Sequence, residues 1–152
     1  MPGILHELLT SFEAIAFLHR AGEKHGDIRR DHILVESGTG VYKWIDFDLD
    51  YHQPEQPFGV DIFGLGNVLL YVAGMGIYTI SEVYHSRPEV FEKLREEDIS
   101  AVIQNRICNL RKLIPYIPIR LNNILMHFSN GSEVFYDSVE ELTDELKDYL
   151  AR

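Results

Sequence analysis

The chain has 152 residues, 45% hydrophobic and 25% charged, with a net charge of −10. Those values are ordinary for a globular protein with a buried core, and they exclude wholesale disorder. The acidic balance argues against nonspecific nucleic-acid binding and against an anionic membrane surface.

Met1-Pro2-Gly3-Ile4 has no basic segment leading into an apolar one, so no signal peptide is expected, and a cytoplasmic location is. Leu5, Leu8, Leu9, Phe12, Ile15, Ala16 and His19 recur at helical spacing up to Gly22, which predicts a long helix over residues 4–20. Ile33-Leu34-Val35 and Val41 to Ile45 are β-rich runs around Ser37-Gly38-Thr39-Gly40, a hairpin pattern. Its flanks carry Asp27 before the first run and Asp46 after the second, so folding the hairpin would bring the two carboxylates together. Pro54, Pro57 and Gly59 mark a loop over 49–60.

Residues 61–75 are almost uniformly apolar, the pattern of a helix buried on all sides, with Asp61 expected to cap its start. Gly64-Leu65-Gly66 within it predicts close helix packing rather than a phosphate loop, because no strand precedes it. Residues 79–151 read as helical. Ile99, Val102, Ile103, Ile107, Leu110 and Ile114 line one face until Pro115, with Cys108 as a small core residue. Ile117, Leu121, Ile124, Leu125 and Phe128 line another, ending at the turn Asn130-Gly131. Ser138 and Glu141 have capping-box spacing before a last helix whose core side is Val139, Leu142, Leu146, Tyr149 and Leu150.

The single cysteine rules out an internal disulfide framework, and no run approaches the roughly 18 apolar residues that span a bilayer. Between Asp98 and Glu133 there is no acidic residue, while Arg106, Arg111, Lys112 and Arg120 fall in that window. A solvated helix face is one reading of these cations, and a docking patch for an acidic partner is the other. The expected fold is mainly α with a small β-hairpin, in one domain spanning 1–152.

These motifs, in this order, resemble the C-terminal lobe of a protein kinase, and the resemblance covers nearly the whole chain. His25-Gly26-Asp27 stands where kinases carry H-R-D, and Asp46-Phe47-Asp48 where they carry D-F-G. Leu8 to His19 is similar to the helix before the catalytic loop, and Asp61-Ile62-Phe63-Gly64-Leu65-Gly66 to the start of the buried central helix. Ser138 to Leu150 looks like the terminal helix of bacterial serine/threonine kinases. The resemblance implies a helical bundle around a buried central helix, with the catalytic loop and hairpin at 25–48 and a short activation-like loop at 49–60.

It also implies roles for single residues. Asp27 would accept or orient the substrate's hydroxyl proton, and Arg29 would contact the transferred phosphate. Asp46 would ligate Mg²⁺ on the nucleotide phosphates, with His32 and Asp48 as further candidate ligands. His25 would hold the loop, and Asp61 would tie it to the central helix. The chain departs from the pattern at Gly26, which replaces the arginine, at His32, which replaces the asparagine, and at Asp48, which replaces the glycine. Only about fifteen residues separate Asp46 from Asp61, without an A-P-E anchor.

No glycine-rich loop, Val-Ala-x-Lys strand or partner glutamate helix is present. ATP and Mg²⁺ are therefore expected only in company with an N-terminal lobe, which would be the principal partner, and none bound to this chain alone. The apolar face left for that lobe invites self-association. Two other readings come from different classes. One is a pseudokinase scaffold. The other is a transition-metal site of His25, Asp27, His32 and Asp46, whose donor types suit zinc or iron. A small-molecule kinase similar to the aminoglycoside phosphotransferases is a further enzyme reading, prompted by His25-Gly26-Asp27.

Overall fold

A computed structural model describes all residues, 1–152. The protein is mainly helical, with six α-helices and one two-stranded antiparallel sheet. The helices are α1 (Pro2–Arg20), α2 (Gly59–Gly74), α3 (Ile80–Ser86), α4 (Pro88–Phe91), α5 (Ile119–Met126) and α6 (Val139–Leu150), and the strands are β1 (Ile33–Val35) and β2 (Tyr42–Trp44). No helix is long and apolar enough to cross a membrane. The chain divides into two compact units, 1–68 with 136–152 and 69–135, and the division falls inside α2.

In the first unit α1 packs on α6 and on β2. The stripe Leu5, Leu8, Phe12 and Ile15 of α1 is buried, as are Val139, Leu142 and Leu146 of α6. α1 stops where expected: Gly22 takes φ 80° and donates its N–H to the His19 carbonyl, the left-handed stop that glycine supplies without Cβ strain. β1 and β2 pair in the register Ile33–Trp44, Leu34–Lys43 and Val35–Tyr42. The Trp44 indole N–H donates to the Ser11 carbonyl at 2.8 Å and fastens the hairpin to α1.

The central helix starts two residues before Asp61, and no residue from 61 to 74 is exposed. Gly64 lets it approach the loop that follows α1, since a Cβ there would stand 2.7 Å from Ile28 Cβ. In α6 the Ser138 hydroxyl accepts from the Glu141 N–H, but the Glu141 carboxylate accepts from Asp137 instead of completing the box at Ser138.

The second unit corrects the helical expectation for 79–151. Residues 99–109 form no helix. Ile99 pairs with Ile107 and Ser100 with Ser129 in isolated antiparallel bridges, and Asn105 turns the chain at φ 65°. Ser100 Oγ accepts the N–H groups of Val102 and Ile103, which a helix would have needed. Val83, Ile99, Ile107 and Leu113 are the buried center of the unit's apolar core. Cys108 is buried as expected, though in an extended segment, and burial pushes its thiol up to about 12.

The cationic window is also revised, because it is not a solvated helix face. Arg106 is buried, Arg111 donates to the Ile117 carbonyl, and Lys112 reaches the buried Asp98 carboxylate at 2.6 Å. Arg120 is half-buried in α5, so none of the four is fully open to solvent.

Candidate active site

The loop from His25 to His32 is suspended from α2 by one carboxylate. Asp61 Oδ1 accepts the Gly26 N–H, and Oδ2 accepts the His25 N–H and the His19 Nε2–H, each at 2.8 Å. His19 in turn stacks on Phe58 with ring centroids 4.1 Å apart. Asp61 is thus a clamp on the loop, the role the resemblance implied, while the expected cap of its own helix is not what its carboxylate does. Burial works to raise its pKa, but the three hydrogen bonds outweigh burial and hold the carboxyl below its ordinary range.

His25 is fully buried and uses both ring nitrogens. Its Nε2–H donates to the Ile45 carbonyl at 2.8 Å, and its Nδ1 accepts the Asp27 N–H at 3.1 Å. This fixes the tautomer and joins the loop to the end of β2. Phe47 stacks on the same ring at 4.3 Å. Burial, opposed by the Ile45 carbonyl, lowers the pKa of His25 and keeps it neutral. With no free nitrogen His25 cannot be a metal ligand. No group of three or more histidine, cysteine or acidic side chains is arranged to hold an ion. The transition-metal reading of His25, Asp27, His32 and Asp46 is therefore withdrawn.

Gly26 is glycine for two reasons of geometry. Its φ is 86°, and a Cβ would lie 2.2 Å from the Asp48 carbonyl oxygen. The Asp48 N–H closes the same junction by donating to the His25 carbonyl at 2.7 Å.

Between these fixed points the two predicted carboxylates do come together, one on each side of a single imidazole. His32 Nδ1 lies 3.7 Å from Asp27 Oδ2, and Nε2 lies 3.6 Å from Asp46 Oδ2. The Nδ1–H donates to the Asp27 backbone carbonyl at 2.8 Å, leaving Nε2 turned to Asp46. The His32 side chain is 12% exposed, while those of Asp27 and Asp46 are 45% and 69% exposed. Neither carboxylate makes a side-chain hydrogen bond within the protein. Asp46 sits at φ 55°, a left-handed conformation that aspartate tolerates better than most residues and that recurs at functional sites.

Two other predicted residues are engaged elsewhere. The Arg29 guanidinium grips Asp31 with two hydrogen bonds, Nε to Oδ1 at 3.1 Å and Nη2 to Oδ2 at 2.8 Å, on the exposed side of the loop. Asp48 Oδ1 accepts the N–H groups of Asp50 and Tyr51 and so caps its own turn. Its expected service as a metal ligand competes with that turn.

Asp27 and Asp46 could each offer a hard ion a carboxylate oxygen, though they belong to no preassembled group for one. Mg²⁺ commonly takes one or two protein carboxylates and completes its shell with phosphates and water, and Asp46 offers an open carboxylate of that kind. His32 adds little, because imidazole nitrogen is a poor partner for such an ion. Comparison with protein-family models, curated proteins and solved structures finds no match to this chain.

Proposed function

We propose that this chain is the catalytic-loop half of a protein-kinase-like phosphotransferase, transferring phosphate from ATP to a serine/threonine-type hydroxyl in company with an N-terminal lobe that this sequence lacks. The observation that carries the reading is the pair of solvent-accessible carboxylates of Asp27 and Asp46 facing opposite nitrogens of His32. Phosphoryl transfer asks chiefly for positioning and charge neutralisation, so two open carboxylates on a rigid frame suit it.

In this reading Asp27 takes or orients the acceptor's proton. Asp46 holds Mg²⁺, which when bound neutralises the nucleotide phosphates. His25, His19 and Asp61 keep the loop in place and touch no substrate. Arg29 serves the phosphate only after leaving Asp31, an exposed pair that is inexpensive to break.

The test is phosphate transfer from ATP by the natural polypeptide that contains this chain. Mg²⁺-dependent transfer is expected, with Asp27→Asn lowering it about a hundredfold or more. No transfer by the unmutated protein overturns the reading.

A second reading, a nucleotide-free scaffold, is favoured by His32 in the place of an amide ligand and by Arg29 and Asp48 being already engaged. Thermal unfolding of the same polypeptide separates the two. Stabilisation by Mg-ATP belongs to the phosphotransferase, and an unchanged melting temperature belongs to the scaffold.

A further inference from the structure

The unit formed by residues 69–135 has a cleft of about 730 Å³, lined by Ile80 of α3, Phe91 of α4 and the segments that follow α4. That volume lies within the roughly 300–1,000 Å³ typical of sites for small organic ligands. One wall, residues 101–105, is pinned at both ends. Ala101 N–H donates to the Phe128 carbonyl at 3.0 Å, and Ile80 N–H donates to the Asn105 carbonyl at 2.9 Å. The Ser100 hydroxyl accepts the Val102 and Ile103 N–H groups and fixes the turn between them. The cleft is therefore a built feature of the unit and not a gap beside a loose loop.

Its floor is apolar, made by Ile80, Phe91, Leu94 and Ile99. Its exposed lining joins Ala101 and Val102 to polar groups that are unengaged: the side-chain amides of Gln104, Asn105 and Asn130 make no hydrogen bond within the protein, and the carboxylates of Glu92 and Glu96 make no ion pair. The one cation in the lining, Arg95, donates Nη1 to the Glu92 and Leu94 carbonyls at 3.0 Å. Two unpaired carboxylates against one guanidinium leave the lining net acidic.

We propose that this cleft binds a small organic cation, an aromatic or branched apolar body carrying a protonated amine. The body covers the Ile80, Phe91, Leu94 and Ile99 floor. The ammonium is met by Glu92 and Glu96, and the side-chain amides take its remaining hydrogen bonds. The proposal is independent of the phosphotransferase reading, because none of these residues belongs to the unit that carries Asp27 and Asp46.

Titration of the full 152-residue chain with tryptamine, followed by amide NMR, tests it, with tryptophol as the uncharged analogue of the same size. Saturable shifts centred on residues 99–105 are expected, with tryptamine binding about two- to fivefold more tightly than tryptophol. The paired changes Glu92→Gln and Glu96→Gln should erase that preference without disturbing the spectrum elsewhere. Ala101→Trp, at an exposed position on the wall, should fill the cleft and abolish the shifts. Absence of saturable shifts, equal affinity for the two probes, or undiminished binding by Ala101→Trp overturns the proposal.

Discussion

Asp61 has no solvent exposure, yet it remains ionised because every face of its carboxylate meets a donor. Replacing it with asparagine keeps the shape but turns an NH₂ group toward either the Gly26 N–H or the His19–His25 pair of donors. Asp61→Asn is expected to cost about 1.5–3 kcal/mol, read by urea denaturation at neutral pH. The sign of the pH effect follows from the depressed carboxyl. Its contribution is fully present above the ordinary value of 3.8 and is lost as pH falls through the lower folded value, so the gap between wild type and Asp61→Asn should close in acid. His25, also depressed, begins to withdraw stability earlier, as pH falls below its ordinary 6.5. Gly26→Ala adds a Cβ at positive φ against the Asp48 carbonyl and should cost at least about 2 kcal/mol by the same measurement.

Only part of this scale was legible in the sequence. His25 and Asp61 could be assigned to holding the loop because a motif resemblance supplied their roles. The His19 contact was not foreseen, although a histidine continuing the stripe of Ile15 and Ala16 is a titratable group on a buried face and has to find a partner. The Arg29–Asp31 fork was missed because two exposed charges two residues apart carry no pattern at all.

At the scale of elements, α1, the hairpin, α2 and α6 follow from periodicity because each buries a continuous stripe or pairs through a tight turn. Residues 99–114 misled for a definite reason. Their apolar spacing is helical, but Ile99, Val102, Ile103 and Ile107 are β-branched, Ser100 captures two N–H groups, and Asp98 organises the backbone from below. The Asp98 carbonyl accepts from Cys108 and Asn109, and its carboxylate accepts from Arg95 N–H, the Asn109 amide and Lys112. One buried acid thus draws residues 95, 98, 108, 109 and 112 together in a fold that no helix allows. Burial acts to raise the Asp98 pKa, and Lys112 with the amide donors brings it below the usual value. Lys112→Met removes the counter-charge while keeping the apolar stem, and about 2–3 kcal/mol of stability should go with it. The loss should shrink in acid as Asp98 protonates. A constant loss from neutral pH to about pH 3 would mean that Lys112 acts through packing alone.

The two compact units differ in how the chain builds them. The unit of 69–135 is continuous, whereas the unit bearing Asp27 and Asp46 is closed only when residues 136–152 return to it. Val139, Leu142 and Leu146 of α6 are fully buried, and Lys147 pairs with Glu13 of α1 at 2.8 Å. Each buried side chain contributes about 1.5–3 kcal/mol, so the three together rival the entire net stability of a small domain. The exposed Lys147–Glu13 pair adds little beside them. Truncation after Phe135 should therefore strip the apolar face of α1 and unfold the carboxylate site while amides in 69–135 keep their hydrogen-exchange protection. Adding a synthetic peptide of residues 136–152 should restore protection to Leu5–His19 and to the His25–His32 loop together, because that loop hangs from α1 and α2 through His19 and Asp61. Protection of the loop in the truncated chain without the peptide would mean that α2 alone supports the site.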